Sequence, residues 1–288
     1  SDWEQVFEGR GEELEWLKQI WLRAKTGEPQ LAIILGETGL GKTRLVQEFY
    51  SYLSKNDTED PNGYWPPTLE IGSNAELNPN SKLIDPNKDL PWLWWGMRFP
   101  VPTERNAVMA ASPFEKEESS LMVHANPILR MRGRKIVTKE VAKTFSSLLF
   151  DLAGISLYGQ VLSVLEMWKT RKDEQRQRDI AIEDWHIEHI RALTEKVLGT
   201  LTMFLKPQDK DAPKVPVLLI LDDAQWIDAV TLGTLQLIAL QAVKEHWPLM
   251  VIVTHWSKEW YDHKLTTASD SPVENLKQLY ILLERQGF

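Results

Sequence analysis

The sequence predicts an α/β protein built on a parallel β-sheet, because short apolar runs alternate with helical patterns along the chain. Three uninterrupted apolar runs occupy residues 31–35, 217–221 and 249–253. A run without alternation is typical of a strand that is buried on both faces, as parallel strands are. The aromatic segment 90–99 is predicted as a further strand. Pro91 near its start is compatible with an edge strand or with the first residue of a strand.

Helices are predicted where apolar side chains recur every three or four positions. The first covers residues 12–25 and ends before the sequence Gly27-Glu28-Pro29. The others are predicted over residues 42–54, 228–244 and 271–286.

A long, mainly helical insertion is predicted over residues 100–213. A strand–helix–strand unit takes about 30 residues, whereas more than half of the chain separates Thr43 from Asp222. The additional residues are expected to separate the strands along the sequence while the strands still pair in one sheet. The prediction therefore has three parts: residues 1–99 as the first part of the sheet domain, 100–213 as the insertion, and 214–288 as the second part.

Composition excludes several classes of protein. The chain has 33 Lys and Arg against 41 Asp and Glu, and a net charge of −8, which argues against a general binder of polyanions. It has no cysteine, which excludes disulfides, thiolate metal sites and cysteine nucleophiles. No apolar run approaches the roughly 20 residues of a membrane span, and no signal peptide opens the chain. We expect a cytoplasmic module. Because the sequence lacks an initiator Met, we also expect it to be a piece of a longer protein.

The strongest motif is the segment GETGLGKT at residues 36–43, which fits the phosphate-binding pattern G-x-x-x-x-G-K-[ST] without mismatch. It lies between a predicted buried strand and a predicted helix, as the pattern requires. The glycines let successive backbone N–H groups turn toward phosphates, and the helix start adds its positive end. Lys42 would reach the β- and γ-phosphates, and the Thr43 hydroxyl would bind Mg²⁺.

Two acids follow the second apolar run. Asp222 lies where such proteins place a carboxylate associated with Mg²⁺, and Asp223 is the candidate for activating the attacking water. Taken alone, an Asp-Asp pair can simply end a strand or cap a helix, and Asp228 is interpreted as a helix cap. We predict that Lys42 and the metal-holding Asp222 come from two adjacent strands.

Thr254 follows the third apolar run and precedes His255 and Trp256. Ligands of parallel sheets collect at the carboxyl ends of the strands. Thr254 is thus placed to hydrogen-bond the attacking water or the γ-phosphate. A polar residue that merely ends the strand is an equal alternative.

Three segments together resemble the ATPase module of the STAND class, the signal-transducing branch of the AAA+-like P-loop NTPases. They are FEGRGEEL at residues 7–14, the loop 36–43, and LDDAQWID at 221–228 followed by Thr231-Leu232. The resemblance covers about half of the chain, residues 1–54 and 215–288. It implies a parallel-sheet P-loop NTPase core of the ASCE and AAA+ kind. The Trp-rich segment and its Pro-rich flank are similar to bacterial antiviral STAND proteins.

The resemblance implies ATP or ADP with Mg²⁺ as ligands, and not GTP, since no guanine-specifying N-K-x-D is evident. It implies an adenine pocket lined by Val6, Phe7 and Gly9, with Arg10 nearby. The full expected nucleotide set is Val6, Phe7, Gly9, Arg10, Gly36, Glu37, Thr38, Gly39, Leu40, Gly41, Lys42, Thr43 and Arg44. The expected metal ligands are Thr43 and Asp222, and the expected catalytic residues are Lys42, Asp223 and Thr254.

Three features depart from the family pattern. Trp256 stands where many relatives have an arginine two positions after the strand-end threonine. The insertion is longer than the class core requires. The winged-helix lid and sensor domain of the class are not evident before Phe288, so the core is expected to be truncated before its lid.

The expected mechanism is a slow switch, in which ATP–Mg²⁺ orders the site and favours a self-associating conformer, and hydrolysis resets it. Asp223 is one methylene shorter than the usual glutamate, which predicts slow turnover. The expected partners are adenine nucleotide, further copies of the chain, and sensor and effector domains outside it. A scaffold locked by nucleotide that never hydrolyses it is one alternative.

Another alternative is a nucleic-acid loader or remodeller related to replication initiators. It would use a basic stretch that a solvated helix face also explains: Arg130, Arg132, Arg134, Lys135, Lys139 and Lys143. His186 and His189 are interpreted as a surface pair and not as zinc ligands. The aromatic residues of segment 90–99 are expected in the core, and Arg98 is not expected to act as an arginine finger.

Overall fold

A computed structural model describes residues 9–56, 91–99, 197–201, 205, 214–227, 229–262, 276–277, 280–281 and 284. It contains a four-stranded, entirely parallel sheet with helices packed on both faces. The predicted α/β class with a parallel sheet is therefore confirmed.

The predicted elements that fall among the described residues follow the chain in the predicted order, with ends that differ by at most three residues, whereas the helix at Ser257–Asp262 and the 3₁₀ helix were not predicted. The helices are α1 (Gly11–Lys25), α2 (Lys42–Asn56), α3 (Ala229–Glu245) and α4 (Ser257–Asp262), with a short 3₁₀ helix at Ala224–Trp226. The strands are β1 (Gln30–Leu35), β2 (Leu93–Arg98), β3 (Val217–Asp222) and β4 (Leu249–His255).

The strands lie in the order β1-β4-β3-β2. The carboxyl ends of all four strands therefore meet at one edge of the sheet. β4 separates β1 from β3, so the prediction that Lys42 and Asp222 follow adjacent strands is wrong. The apolar runs alone could not reveal this order, because β4 comes last in sequence and enters the middle of the sheet.

The two faces of the sheet bury alternate side chains. Even-numbered residues of β3 and β4, such as Ile220 and Ile252, pack with α1 and α2. Odd-numbered residues, such as Leu219 and Val251, pack with α3. Burying one such aliphatic side chain contributes about 1.5–3 kcal/mol, so the centre of the sheet is the rigid support of its loops.

The outer strands differ in burial from the central pair. β3 and β4 are buried along their whole length, as predicted for parallel strands. β1 alternates between buried and half-buried residues, so its predicted burial on both faces holds for one face only. β2 lies at an edge of the described sheet, in agreement with the proline before it.

Only part of the predicted insertion lies among the described residues. Residues 197–201 and 205 are helical, and Val197, Leu198, Leu201 and Leu205 are buried in the same cluster as α3. In the predicted closing helix, residues 276–277, 280–281 and 284 are helical. Among all the residues that the structure describes, no helix combines the length and apolar character needed to cross a membrane.

Candidate functional site

The loop that follows β1 meets the ends of the other three strands. The N–H of Gly36 donates to the carbonyl of His255 at 3.2 Å, which ties the start of the loop to the end of β4. Arg98 and Asp222 are register partners at the ends of β2 and β3. Their even numbers place both residues on the sheet face that packs with α1 and α2. Thr254 on β4 is on the same face. The fold thus gathers one polar cluster beside the start of α2.

The backbone of the loop has the shape of an anion cradle. Gly39 and Gly41 have φ values of 84° and 73°, which residues other than glycine rarely adopt. Alternation of such residues with right-handed ones turns successive N–H groups to one side. Residues 37–40 are exposed, so the concave side of the loop is open to a ligand.

Lys42 is folded back over this loop. Its ammonium donates to the carbonyl of Gly36 at 2.8 Å and to that of Glu37 at 3.1 Å, and the residue is only 7% exposed. The charge therefore lies beside the cradle and not in solvent. A bound anion would provide a stronger, charged acceptor at the same place.

Asp222 is the centre of the cluster and is 1% exposed. The hydroxyl of Thr43 lies 3.1 Å from both of its carboxylate oxygens. The hydroxyl of Thr254 donates to Oδ1 at 2.7 Å. Arg98 donates to Oδ2 from Nε at 2.9 Å and from Nη2 at 2.8 Å. Among the described residues, the three that contact this carboxylate lie on three different elements, α2, β4 and β2.

Asp223 adopts an unusual backbone conformation beside this cluster. Its φ of 58° and ψ of 44° lie in the left-handed region, which Asp and Asn tolerate better than most residues. Its N–H donates to the hydroxyl of Thr254 at 3.0 Å, and its Oδ1 accepts from Nε2 of Gln225 at 3.2 Å. The half-buried carboxylate is therefore held in one orientation next to Asp222.

Thr254 is buried and lies within β4, one residue before its end. Its hydroxyl links the two acids, since it donates to Asp222 and accepts from the N–H of Asp223. Trp256 packs edge-on against Trp226, with ring centroids 5.5 Å apart. The side chain that was predicted to depart from the family pattern is thus engaged in an aromatic contact.

The other residues predicted to bind the nucleotide differ in how they contact the loop. Arg10 donates to the carbonyl of Leu40, which joins the start of α1 to the loop. Arg44 forms an ion pair with Glu48 along α2. Gly9 is exposed with a φ of 98°. Val6 and Phe7, the predicted adenine-pocket residues, lie outside the described residues.

Two contacts of the site were not predicted from the sequence. The fork of Arg98 on Asp222 depends on the register between β2 and β3, which nothing in the sequence gives. Gln225 was not singled out, although it is 4% exposed and holds Asp223. The available signal in the sequence would have been an amide side chain two residues after the second acid.

Glu37 connects the loop to α4. Its carboxylate accepts from the hydroxyl of Ser257 at 2.7 Å and from the N–H of Lys258 at 3.3 Å. The hydrogen bond from Ser257 is the main cause that lowers the pKa of Glu37 below its ordinary value of 4.5. The ionised carboxylate thus ties the loop to the segment that follows β4.

We predict that the Glu37→Gln variant loses a contribution to stability that depends on pH. Because the folded-state pKa is lowered, this contribution is complete above the unfolded value of 4.5 and is lost as pH falls through the lower folded value. The difference in free energy of unfolding between wild type and variant should therefore shrink between pH 7 and pH 3. Urea unfolding at a series of pH values measures it.

The control for this prediction is Glu28→Gln, which removes an exposed glutamate at the opposite end of β1. It is expected to follow the wild type over the whole pH series more closely than Glu37→Gln does. A difference for Glu37→Gln that stays constant down to pH 3 would show that the charge of this carboxylate is not involved.

His255 lies on the opposite face of β4 from Thr254. It is fully buried, packs edge-on against Trp260 at 5.4 Å, and donates from Nδ1 to the carbonyl of Trp256 at 2.8 Å. Burial is the main cause that lowers its pKa from 6.5, against the opposing effect of that hydrogen bond. His255 is therefore neutral at pH 7 and supports the loop as a packing residue.

The hydroxyl and carboxylate oxygens at this site suit Mg²⁺. Magnesium is commonly held by one or two carboxylates together with phosphate oxygens and water. Thr43 and Asp222 supply such oxygens next to an open anion cradle. Within the described part of the chain, no group of three or more His, Cys, Asp or Glu side chains is placed to hold a metal. A cation bound here would need further oxygen ligands besides Thr43 and Asp222, such as water or phosphate oxygens.

Several predicted features lie outside the described residues: Asp228, His186, His189 and the basic stretch from Arg130 to Lys143. The aromatic residues of β2 are buried in the core, as expected. The sequence matches no protein-family model and no curated protein. The residues of the site are therefore the basis of any functional inference.

Proposed function

We propose that this chain is the ATP-binding switch module of a STAND-type signalling or defence ATPase. The observation that carries the proposal is the contact of Thr43 with both oxygens of Asp222 at 3.1 Å. These residues are 179 positions apart, and the role predicted for Asp222 from the sequence depended on the presence of the loop motif. Their meeting at one sheet edge supports a joint role in binding Mg²⁺ and phosphate.

The proposed roles follow from the charges and donors at the site. The N–H groups of residues 36–43 and the ammonium of Lys42 would hold the phosphates. Thr43 and Asp222 would hold the metal, which screens phosphate charge when bound. Arg10 and Gly9 would lie toward the nucleoside, together with the predicted residues Val6 and Phe7.

Asp223 is proposed as the general base for hydrolysis. Gln225 and Thr254 hold it in place, which limits its reach toward a water molecule. A short and restrained carboxylate favours slow turnover, as a switch requires and a motor does not. Thr254 would act through Asp222 and Asp223, since its hydroxyl already contacts both residues.

Self-association in the ATP state is implied by the resemblance to the STAND class. The contact of Glu37 with Ser257 and Lys258 offers a physical link for it. This contact joins the phosphate loop to α4. Reordering of the loop by a nucleotide would therefore change the segment that leads out of the sheet.

Calorimetry with the intact chain, Mg²⁺ and adenine nucleotides tests the proposed function. We expect saturable binding of ATP and ADP, no comparable binding of GTP, and a larger mass by light scattering with ATP than with ADP. Absence of any heat with both adenine nucleotides would refute nucleotide binding. Fast steady-state hydrolysis that is independent of self-association would contradict the switch mechanism but not the proposed nucleotide binding.

A further inference from the structure

Donors from the chain itself occupy the whole carboxylate of Asp222. Arg98 provides two donors to Oδ2 at 2.9 and 2.8 Å, and Thr254 provides one to Oδ1 at 2.7 Å. Thr43 lies 3.1 Å from each oxygen. A carboxylate has about four lone-pair sites. A cation therefore cannot coordinate Asp222 until one of these donors moves away.

Arg98 is the donor that a cation would displace. Hydroxyl groups such as that of Thr43 have lone pairs and can stay beside a metal, whereas a guanidinium has five donors and no acceptor. Its positive charge also repels a divalent cation that approaches the same oxygen.

The surroundings of Arg98 allow this movement. Its side chain is 34% exposed and lies on the edge strand of the described sheet, while Asp222 is 1% exposed and fixed. The arginine can thus leave toward solvent, but the carboxylate cannot follow it. The guanidinium would then lie at the mouth of the loop, where anionic oxygens of a nucleotide can replace its lost partner.

We propose that Arg98 is the resident counter-ion of Asp222 and that it keeps divalent cations out of the site in the absence of nucleotide. Displacing it costs an ion pair of which the carboxylate is buried and the guanidinium half-buried, and a free cation offers no phosphate oxygens in return. Cation and nucleotide must therefore bind together. This inference rests on the proposed function for its nucleotide, but the exclusion of a free cation is testable without one.

The test measures binding of Mn²⁺ to the nucleotide-free protein, using the electron paramagnetic resonance signal of the free ion. Mn²⁺ is suitable because carboxylate and hydroxyl oxygens bind it as they bind Mg²⁺. We expect Arg98→Gln to bind Mn²⁺ at least about tenfold more tightly than the wild type. The double variant Arg98→Gln with Asp222→Asn should lose this gain, because the carboxylate that binds the metal is then absent.

Two further variants make the test decisive. Arg23→Gln removes an exposed arginine near the end of α1 and should leave Mn²⁺ binding at the wild-type level. Arg98→Lys keeps a charge but lacks the two-donor fork, so its affinity should lie between those of wild type and Arg98→Gln. If Arg98→Gln does not fold, Arg98→Lys alone decides the outcome.

Equal Mn²⁺ affinity in the wild type and the folded Arg98 variants, including undetectable binding in all of them, would overturn the inference. A gain that persists in the double variant would overturn it as well. Failure of the proposed function is recognised separately, as absence of ADP or ATP binding by the wild type in calorimetry.

Discussion

Replacing Lys42 with alanine is expected to lower the affinity for ATP at least about 100-fold, since a charge-assisted contact to phosphate is removed. The ammonium already lies at the loop, where it donates to the carbonyls of Gly36 and Glu37. Its loss would remove both the proposed phosphate ligand and the two hydrogen bonds that hold the loop. Calorimetry with Mg²⁺–ATP gives the affinity, and circular dichroism verifies that the variant is folded.

The matched control is Lys214→Ala. Lys214 also donates to two backbone carbonyls, those of Glu245 at 2.8 Å and His246 at 3.2 Å. It precedes β3 and so lies at the opposite edge of the sheet from the loop. Because Lys214 is exposed, the control should lose less stability than Lys42→Ala, and it should retain wild-type affinity for ATP. Equal ATP binding by both variants would contradict the proposed role of Lys42.

Replacing Asp223 with asparagine is expected to slow ATP hydrolysis about 100-fold or more, the usual effect of losing a general base. Binding should persist because asparagine keeps the geometry of the site. It tolerates the left-handed backbone at φ 58°, and its side-chain oxygen can still accept from Gln225. The backbone N–H that bonds Thr254 is also unchanged.

Single-turnover hydrolysis and calorimetry must be measured on the same preparation of Asp223→Asn. Glu28→Gln, an equivalent exchange of acid for amide before β1, serves as the control and should hydrolyse ATP at the wild-type rate. Loss of ATP binding by Asp223→Asn would mean that this residue holds the ligand and not the water. An unchanged rate would exclude it as the base.

The fold class could be predicted because it depends on local apolar patterning. The runs 31–35, 217–221 and 249–253 each became a strand, and their lengths were right within two residues. The helices after the loop and after the acid pair were likewise located by side-chain periodicity. The strand order could not be predicted, since all three runs are equally apolar and none carries information on its neighbours.

For the candidate site, the sequence determined which groups are available: a glycine-rich loop, a lysine and threonine at a helix start, and acids after a buried strand. Spacing along the chain is enough for this, because the loop and its helix are continuous in sequence. Only the tertiary structure decided that β4 separates β1 from β3 and that Arg98 covers Asp222. Both depend on contacts between residues far apart in the chain, and such contacts are set by the packing of the two sheet faces and not by any local pattern.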